Sequence, residues 1–350
     1  MKYGAIPSNL LEQLALWSGR VPLPLIDALY PLIKCRALMC GVRLGLFEAL
    51  RPGPLTGPEV AARCALAAEP TEMVLRVLVV AEYLRQSGER FALTPLARRS
   101  LLSDSPRPMT AFLEWNYRQW EMVTHLEELL RTGRGVDFHR TMTDPADWAV
   151  YQRAMLEVAR FDVATLAARV PVRRGATRLL DIAGSHGLFG AALCRKHPPM
   201  TSTVIELPQA LEAARALAAA ERITDVVTHR AGDITTLDFA REPEGPFDVA
   251  LLANILHHFD PAQNRDILKR AHAALNPEGT AAIWELETPD PRQPADAGDG
   301  AALFFRLTST AASYRGADYA AWLTEAGFTR VRLVRPPLSP GSVLALGRKA

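Results

Sequence analysis

Five acids and two adjacent histidines in the second half of the chain are the residue types that hold a polar ligand and move a proton. Asp181 lies in the apolar run Leu179-Leu180-Asp181-Ile182 and is followed by the small-residue turn Ala183-Gly184-Ser185-His186-Gly187. Glu206, Asp233 and the pair His257-His258 each follow a later apolar run, and Glu285 and Glu287 follow another. A carboxylate accepts two hydrogen bonds from a diol, and an acceptor is what an adenine amine needs. A histidine takes a proton from a hydroxyl near neutral pH, and a carboxylate behind it fixes the tautomer and stabilises the cation. Neighbouring histidines at a strand end point in different directions, so no metal site is expected from them.

The elements that must position these groups are strands that stop at one edge of a sheet. Arg178 to Pro198 reads as strand, tight turn and amphipathic helix. Such a turn lets backbone approach a ligand while the helix offers unpaired N–H groups and a partial positive charge. Two ligand classes use it: dinucleotides, through G-x-G-x-x-G, and S-adenosylmethionine, through a motif resembling acid-x-G-x-G-x-G. Ser185, Gly187 and Gly190 fit the first with one glycine lost, whereas Asp181, Ala183, Ser185 and Gly187 fit the second with two lost. Asp181 favours the methyl donor, because a carboxylate suits an ammonium and a sulfonium better than a pyrophosphate. Glu206 serves either ligand as the acid for ribose hydroxyls, and Asp233 fits an adenine N6 amine.

From Arg178 onward strands and helices alternate, as a doubly wound α/β sheet requires. Strands are expected at Leu179 to Ile182, Ser202 to Ile205, Val226 to His229, Phe247 to Leu252 and Ala281 to Trp284, with a closing hairpin of Phe328 to Val334 and Ser342 to Leu346. Helices begin near Gly187, Pro208 and Pro261, and another covers Asp318 to Glu325.

The first hundred residues read as helical with one hairpin. Thr56 and Glu59 form a capping box, Thr71 is expected to cap a helix from Met73 to Leu84, and Ser87-Gly88 turns a hairpin. That order is a winged helix, which raises DNA binding as a rival function. Its basic residues are interleaved with acids, however, and Met73 to Ala81 is too apolar to read a groove. A packing or dimerisation module is the expectation.

Between the two regions, Pro106 to about Arg134 is expected to form one long helix carrying Trp115 and Trp120, and Asp144 to Val170 another carrying Met155. Aromatic stripes of this kind build either core or the wall of a pocket for a flat apolar substrate. The expected division is 1–105, 106–170 and 171–350.

A chain of 350 residues, 49% of them hydrophobic, can bury a sizeable core, and a net charge of +2 with no long basic block argues against nucleic acid as partner. The four cysteines form no C-x-x-C pair and read as reduced core thiols. With neither a leader pattern nor a long uninterrupted apolar run, a cytoplasmic protein without a membrane partner is expected.

Taken in order, these residues resemble the small-molecule O-methyltransferases of the plant caffeate and acetylserotonin type and their bacterial natural-product relatives. The resemblance spans nearly the whole chain. Arg43 to Leu50, Leu75-Arg76-Val77-Leu78 and Phe91-Ala92-Leu93-Thr94 are similar to the family's winged-helix dimerisation domain. Leu180 to Gly187, Ile205-Glu206-Leu207-Pro208, Ala231-Gly232-Asp233 and Asn254-Ile255-Leu256-His257 follow its cofactor and catalytic motifs. The resemblance implies a Rossmann-like class I methyltransferase sheet behind an N-terminal winged-helix domain, and a homodimer. It implies S-adenosylmethionine held by Asp181, Gly184, Ser185, Gly187, Glu206, Leu207, Asp233, Ile234 and Asn254, without a metal. His257 takes the place of the base and Glu285 that of its orienting acid, with Trp115, Trp120, Met155 and His258 toward an aromatic or polyketide-like hydroxyl substrate. Ala183 and Ser185 replace glycines of the turn and are expected to tighten the cofactor's approach. Members that methylate nitrogen or carbon, members that transfer no methyl group, a nicotinamide oxidoreductase and a DNA-binding regulator are the alternatives.

Overall fold

The computed structural model describes residues 4–350 apart from 296, 338 and 340, with the side chains of 140 and 297 also outside the description. The chain divides into two compact units, 1–120 and 121–350, the division falling inside the segment expected to connect the domains.

In the first unit, the helix Leu23–Arg43 ends where Gly45 adopts a φ of 77°, a left-handed conformation that favours glycine. The short helix Leu46–Ala49 follows. Strands β1 (Leu55–Thr56), β2 (Leu84–Ser87) and β3 (Arg90–Leu93) form an antiparallel sheet in the order β1-β3-β2, with helices Gly57–Cys64 and Ala68–Val80 between the first two. This is the winged-helix pattern. Thr56 and Glu59 do form a capping box. The next helix starts earlier than expected, at Ala68, so Thr71 lies inside it and its hydroxyl donates back to the Ala67 carbonyl at 2.7 Å. Leu46, Phe47, Leu75, Leu78, Phe91 and Leu93 close the core. Cys35 is exposed on its helix and Cys194 is buried in the other unit, so the expected core placement does not hold for all four thiols.

The expected helix from Pro106 to Arg134 is broken into Thr110–Arg118, a 3-10 turn over Gln119–His125, and Leu126–Thr132.

The second unit holds seven strands, β4 (Arg178–Ile182), β5 (Thr201–Glu206), β6 (Val227–Ala231), β7 (Phe247–Ala253), β8 (Leu275–Leu286), β9 (Thr329–Val334) and β10 (Ser342–Arg348), in the order β6-β5-β4-β7-β8-β10-β9. The first five strands pair in parallel, and β10 is antiparallel to both its neighbours. Alternation along each strand splits the core in two. Leu180, Ile182, Ala250, Leu252 and Ile283 face one layer with Ile267, Leu268, Tyr319 and Trp322, while Leu179, Val249, Leu251, Ala282 and Trp284 face another with Leu166, Phe189 and Leu193. The strand order reverses at β4, whose neighbours are β5 and β7. At such a switch point the carboxyl ends of the strands open a crevice.

Candidate active site

The turn after β4 wraps a carboxylate. Asp181 is 1% exposed and lies beneath the loop, where a Cβ added to Gly184 would sit 2.6 Å from its Oδ2. Burial pushes its pKa up to about 7, the Gly190 N–H opposes that rise and the Glu206 charge adds to it. It shapes the turn from behind and is not a wall of the cavity, so the expected direct pairing of this carboxylate with the ligand's cationic groups is not the role its position supports. Ala183 and Ser185 take φ values of 56° and 49°, which preserves a glycine-like backbone without glycine. Ser185 Oγ is buried and has no hydrogen-bond partner among the described residues. Gly187 caps the helix Leu188–Lys196 with φ 75°, and a Cβ there would meet Val227 Cγ1 at 2.8 Å. Its place is packing beneath the turn. His186 accepts the Leu188 N–H at Nδ1, 3.0 Å away, and burial holds its pKa down near 3, with the Met155 backbone opposing.

Two further acids stand at the neighbouring strand ends. Glu206 ends β5 and accepts the Leu207 N–H at 2.8 Å. Burial pushes its pKa up to about 7, against the Leu207 and Ser185 N–H groups. Asp233 is exposed past β6, with Oδ1 accepting from the Thr235 N–H at 2.8 Å and hydroxyl at 2.7 Å. It thus shapes a turn and also lines the cavity. Leu207, Ile234 and Asn254 line the same space; Asn254 does so with φ 54°, its N–H donating to the Trp284 carbonyl at 2.7 Å.

Beyond Asn254 the chain makes a 3-10 turn, Leu256–His258, before Asp260 and Gln263 form a capping box on the helix Pro261–Ala274. Glu285, fully buried near the end of β8, fastens that turn. Its Oε1 accepts the N–H groups of Ile255 and Leu256 at 2.7 and 2.6 Å, and its Oε2 meets His257 Nδ1 at 2.8 Å. Ser309 donates to the His257 carbonyl at 3.1 Å. The bond at Nδ1 directs Nε2 away from Glu285, which is the arrangement of a base with an orienting acid. Glu287 is engaged elsewhere, with Arg335 and the Gly316 N–H.

His257 itself is 4% exposed and covered by the rings of His258 and Phe305, whose centroids lie 4.1 and 4.4 Å away. His258 lines the cavity, and His257, which is not in the lining, packs its ring against that of His258. Burial, with His257 and His139 adding to it, holds the His258 pKa well below the ordinary value.

The cavity, about 490 Å³, lies wholly within the second unit. Its other wall is the helix Pro145–Ala167, which presents Trp148, Tyr151, Gln152, Met155 and Ala159 at helical spacing. Met155 lines the cavity on this helix. Trp115 and Trp120 are not cavity residues: Trp115 is buried in the first unit, and Arg36 lies 5.1 Å over the Trp120 ring. Trp115 lies in the helix Thr110–Arg118 and Trp120 in the 3-10 turn that follows it. Asp137, His139 and Gln152 went unread in the sequence, yet all line the cavity. The alternation Trp148-x-x-Tyr151-Gln152-x-x-Met155 was a legible signal for Gln152; His139 follows a loop and had none. His139 Nε2 lies 3.3 Å from the Tyr151 hydroxyl, its ring stacks on Trp148 at 5.8 Å and meets His258 at 4.4 Å, and burial holds its pKa near 3.

The cavity fits a cationic adenosyl ligand better than a dinucleotide. Glu206 is buried with no Lys or Arg beside it among the described cavity residues, so an entering cation is stabilised and a pyrophosphate repelled. The Ser185 Oγ, without a partner among the described residues, is placed to receive a polar group. Among the described residues, no group of three His, Cys, Asp or Glu side chains is arranged for a metal ion, and no helix is long and apolar enough to cross a membrane.

Comparison with known proteins matches this architecture. The O-methyltransferase domain model covers residues 121–329, and the O-methyltransferase dimerisation domain model covers 26–103. A 3-hydroxy-5-methyl-1-naphthoate 3-O-methyltransferase of Streptomyces sahachiroi is 30% identical over 92% of this chain and 93% of its own. A tetracenomycin polyketide synthesis 8-O-methyl transferase of Streptomyces glaucescens is 28% identical over 90% and 93%. Among solved structures, human N-acetylserotonin methyltransferase in complex with S-adenosylmethionine superposes with a TM-score of 0.83, at 19% identity over 99% of both chains. With a winged-helix unit ahead of a cavity at the switch point of a seven-stranded sheet, the chain belongs to the S-adenosylmethionine-dependent O-methyltransferase family.

Proposed function

We propose that the protein methylates a hydroxyl of an aromatic, polyketide-like small molecule in natural-product biosynthesis, with His257 as general base and Glu285 as its orienting acid. The observation that carries this reading is the buried 2.8 Å pairing of Glu285 with His257 Nδ1 behind the cavity wall. When bound, S-adenosylmethionine supplies an electrophilic methyl group on a sulfonium. Ser185 would take its carboxylate, Glu206 its ribose hydroxyls, and Asp233 and Ile234 its adenine edge and face.

Trp148, Met155 and His258 hold the flat acceptor. Holding its oxygen in a near-attack position would be worth up to about 7–11 kcal/mol. His257 Nε2 then receives the hydroxyl proton, and Glu285 stabilises the resulting imidazolium. For this, the rings of His258 and Phe305 that cover His257 must yield when the acceptor enters. The aromatic acceptor class is supported by the walls and by the names of the naphthoate and polyketide relatives.

The dimerisation-domain match supports a homodimer, as do Leu11, 78% exposed, and Trp17, 73% exposed, near the start of the chain. A cytoplasmic location accords with this small-molecule role. Transfer of a radiolabelled methyl group from S-adenosylmethionine to a panel of hydroxynaphthalenes and hydroxyquinones tests the reading. Label in an aryl ether is expected; label on ring carbon, or none, contradicts it.

A further inference from the structure

Gln152 is a buried amide with nothing to bond. It is 1% exposed, it lines the cavity, and neither its Oε1 nor its Nε2 has a hydrogen-bond partner among the described residues. An unpaired buried donor or acceptor costs about 1–3 kcal/mol, so two on one side chain mark a place where a ligand completes the bonding.

Its position says which ligand. The helix Pro145–Ala167 sets Trp148, Gln152, Met155 and Ala159 on one stripe. Toward the helix N-terminus, Trp148 and Tyr151 pack on His139, whose ring meets His258 beside His257. Toward the C-terminus, the Met155 backbone meets His186 of the turn after β4. Gln152 therefore lies one helical turn from the cofactor turn, on the side of the base. The polar groups that flank it along the helix and at its two ends are bonded elsewhere. The Tyr151 hydroxyl is 3.3 Å from His139 Nε2, the Trp148 indole donates to the Met142 carbonyl at 3.1 Å, and His186 Nδ1 accepts from Leu188.

We propose that Gln152 is the specificity-determining residue for the acceptor, and that its amide takes a second hydroxyl, carried next to the hydroxyl that is methylated. This rests on the reading of the cavity as a methyl-transfer site. A primary amide offers one donor and one acceptor side by side, which matches an oxygen that donates and accepts at once. An acceptor lacking that oxygen leaves both amide atoms dry and unpaired. A site built to bond a hydroxyl discriminates strongly against the analogue without it, whereas apolar walls alone do not.

The test compares 2,3-dihydroxynaphthalene with 2-naphthol in the wild-type protein and in Gln152→Met, which keeps the length of the side chain and removes its polarity. In the wild type, kcat/KM is expected to favour the diol by roughly 10- to 100-fold. In Gln152→Met that preference should collapse to within about threefold, through KM rather than kcat, with S-adenosylhomocysteine affinity unchanged. Gln152→Leu serves if the methionine variant does not fold. Acceptor binding, read by tryptophan fluorescence quenching, runs in parallel. If neither compound is methylated the methyl-transfer reading fails, while the binding preference still decides the role of Gln152. Equal binding of the two compounds by the wild type, or a preference that survives the substitution, overturns the proposal. A tenfold loss of S-adenosylhomocysteine affinity with the preference intact overturns it too, and makes Gln152 a cofactor ligand.

Discussion

His257 and Glu285 are joined by a 2.8 Å hydrogen bond at Nδ1, and the same carboxylate holds the two backbone N–H groups that precede the histidine. One side chain thus fixes both the ring of the base and the turn that carries it. Glu285→Gln keeps the shape but weakens both. Its amide still accepts at one atom, yet it stabilises no imidazolium. The expected result is a fall in kcat of at least about a hundredfold and a loss of roughly 1.5–3 kcal/mol of stability from charge-assisted bonds. Steady-state kinetics and thermal melts check the two together.

Glu206 makes the unliganded protein sensitive to pH in a direction opposite to that of a salt-bridged acid. Its folded pKa, about 7, lies above the ordinary 4.5, so the folded state binds the proton more tightly than the unfolded chain. Stability from this group is full below about 4.5 and is lost as pH rises to about 7, by roughly 3 kcal/mol at most. Asp181, raised in the same direction, adds to the slope. Melting of the ligand-free protein between pH 5 and 8 should therefore show a decline that Glu206→Gln flattens.

Ala183 occupies a left-handed backbone conformation with φ 56°. Non-glycine residues pay about 1–2 kcal/mol for this. Ala183→Gly is expected to raise the melting temperature by a few degrees without lowering S-adenosylhomocysteine affinity, as differential scanning calorimetry and titration would show. The backbone keeps the path a glycine would follow, while Ala183 and Ser185 add their side chains to the cavity wall.

Gly184 marks the contrary case. An added Cβ would lie 2.6 Å from Asp181 Oδ2 with the Asp181 side chain already enclosed. Gly184→Ala should destabilise by roughly 1–3 kcal/mol, the range of overpacking, and weaken cofactor binding by displacing the loop. Titration with S-adenosylhomocysteine alongside a melt separates the two effects.

Strand-end residues were legible because a parallel sheet puts its polar groups where apolar runs stop. Glu206, Asp233, His257 and Glu285 all stand at such places. Asp181 was legible as a site residue, though its depth was not, since burial beneath Gly184 depends on the turn's three-dimensional path. The acceptor wall was half visible. Met155 and the stripe around it follow from helical spacing, whereas Trp115 sits in a separate helix and Trp120 in the 3-10 turn that ends it, a break that periodicity does not reveal. His139 reaches the cavity through tertiary packing on Trp148 and His258, which no local pattern encodes.

The most direct test of the central claim is turnover of His257→Ala on a phenolic acceptor at saturating S-adenosylmethionine, with S-adenosylhomocysteine affinity measured on the same preparation. A general base contributes about 10²–10⁴-fold, so kcat should fall by that much while affinity holds. Undiminished kcat in the variant would contradict the assignment of His257 as base.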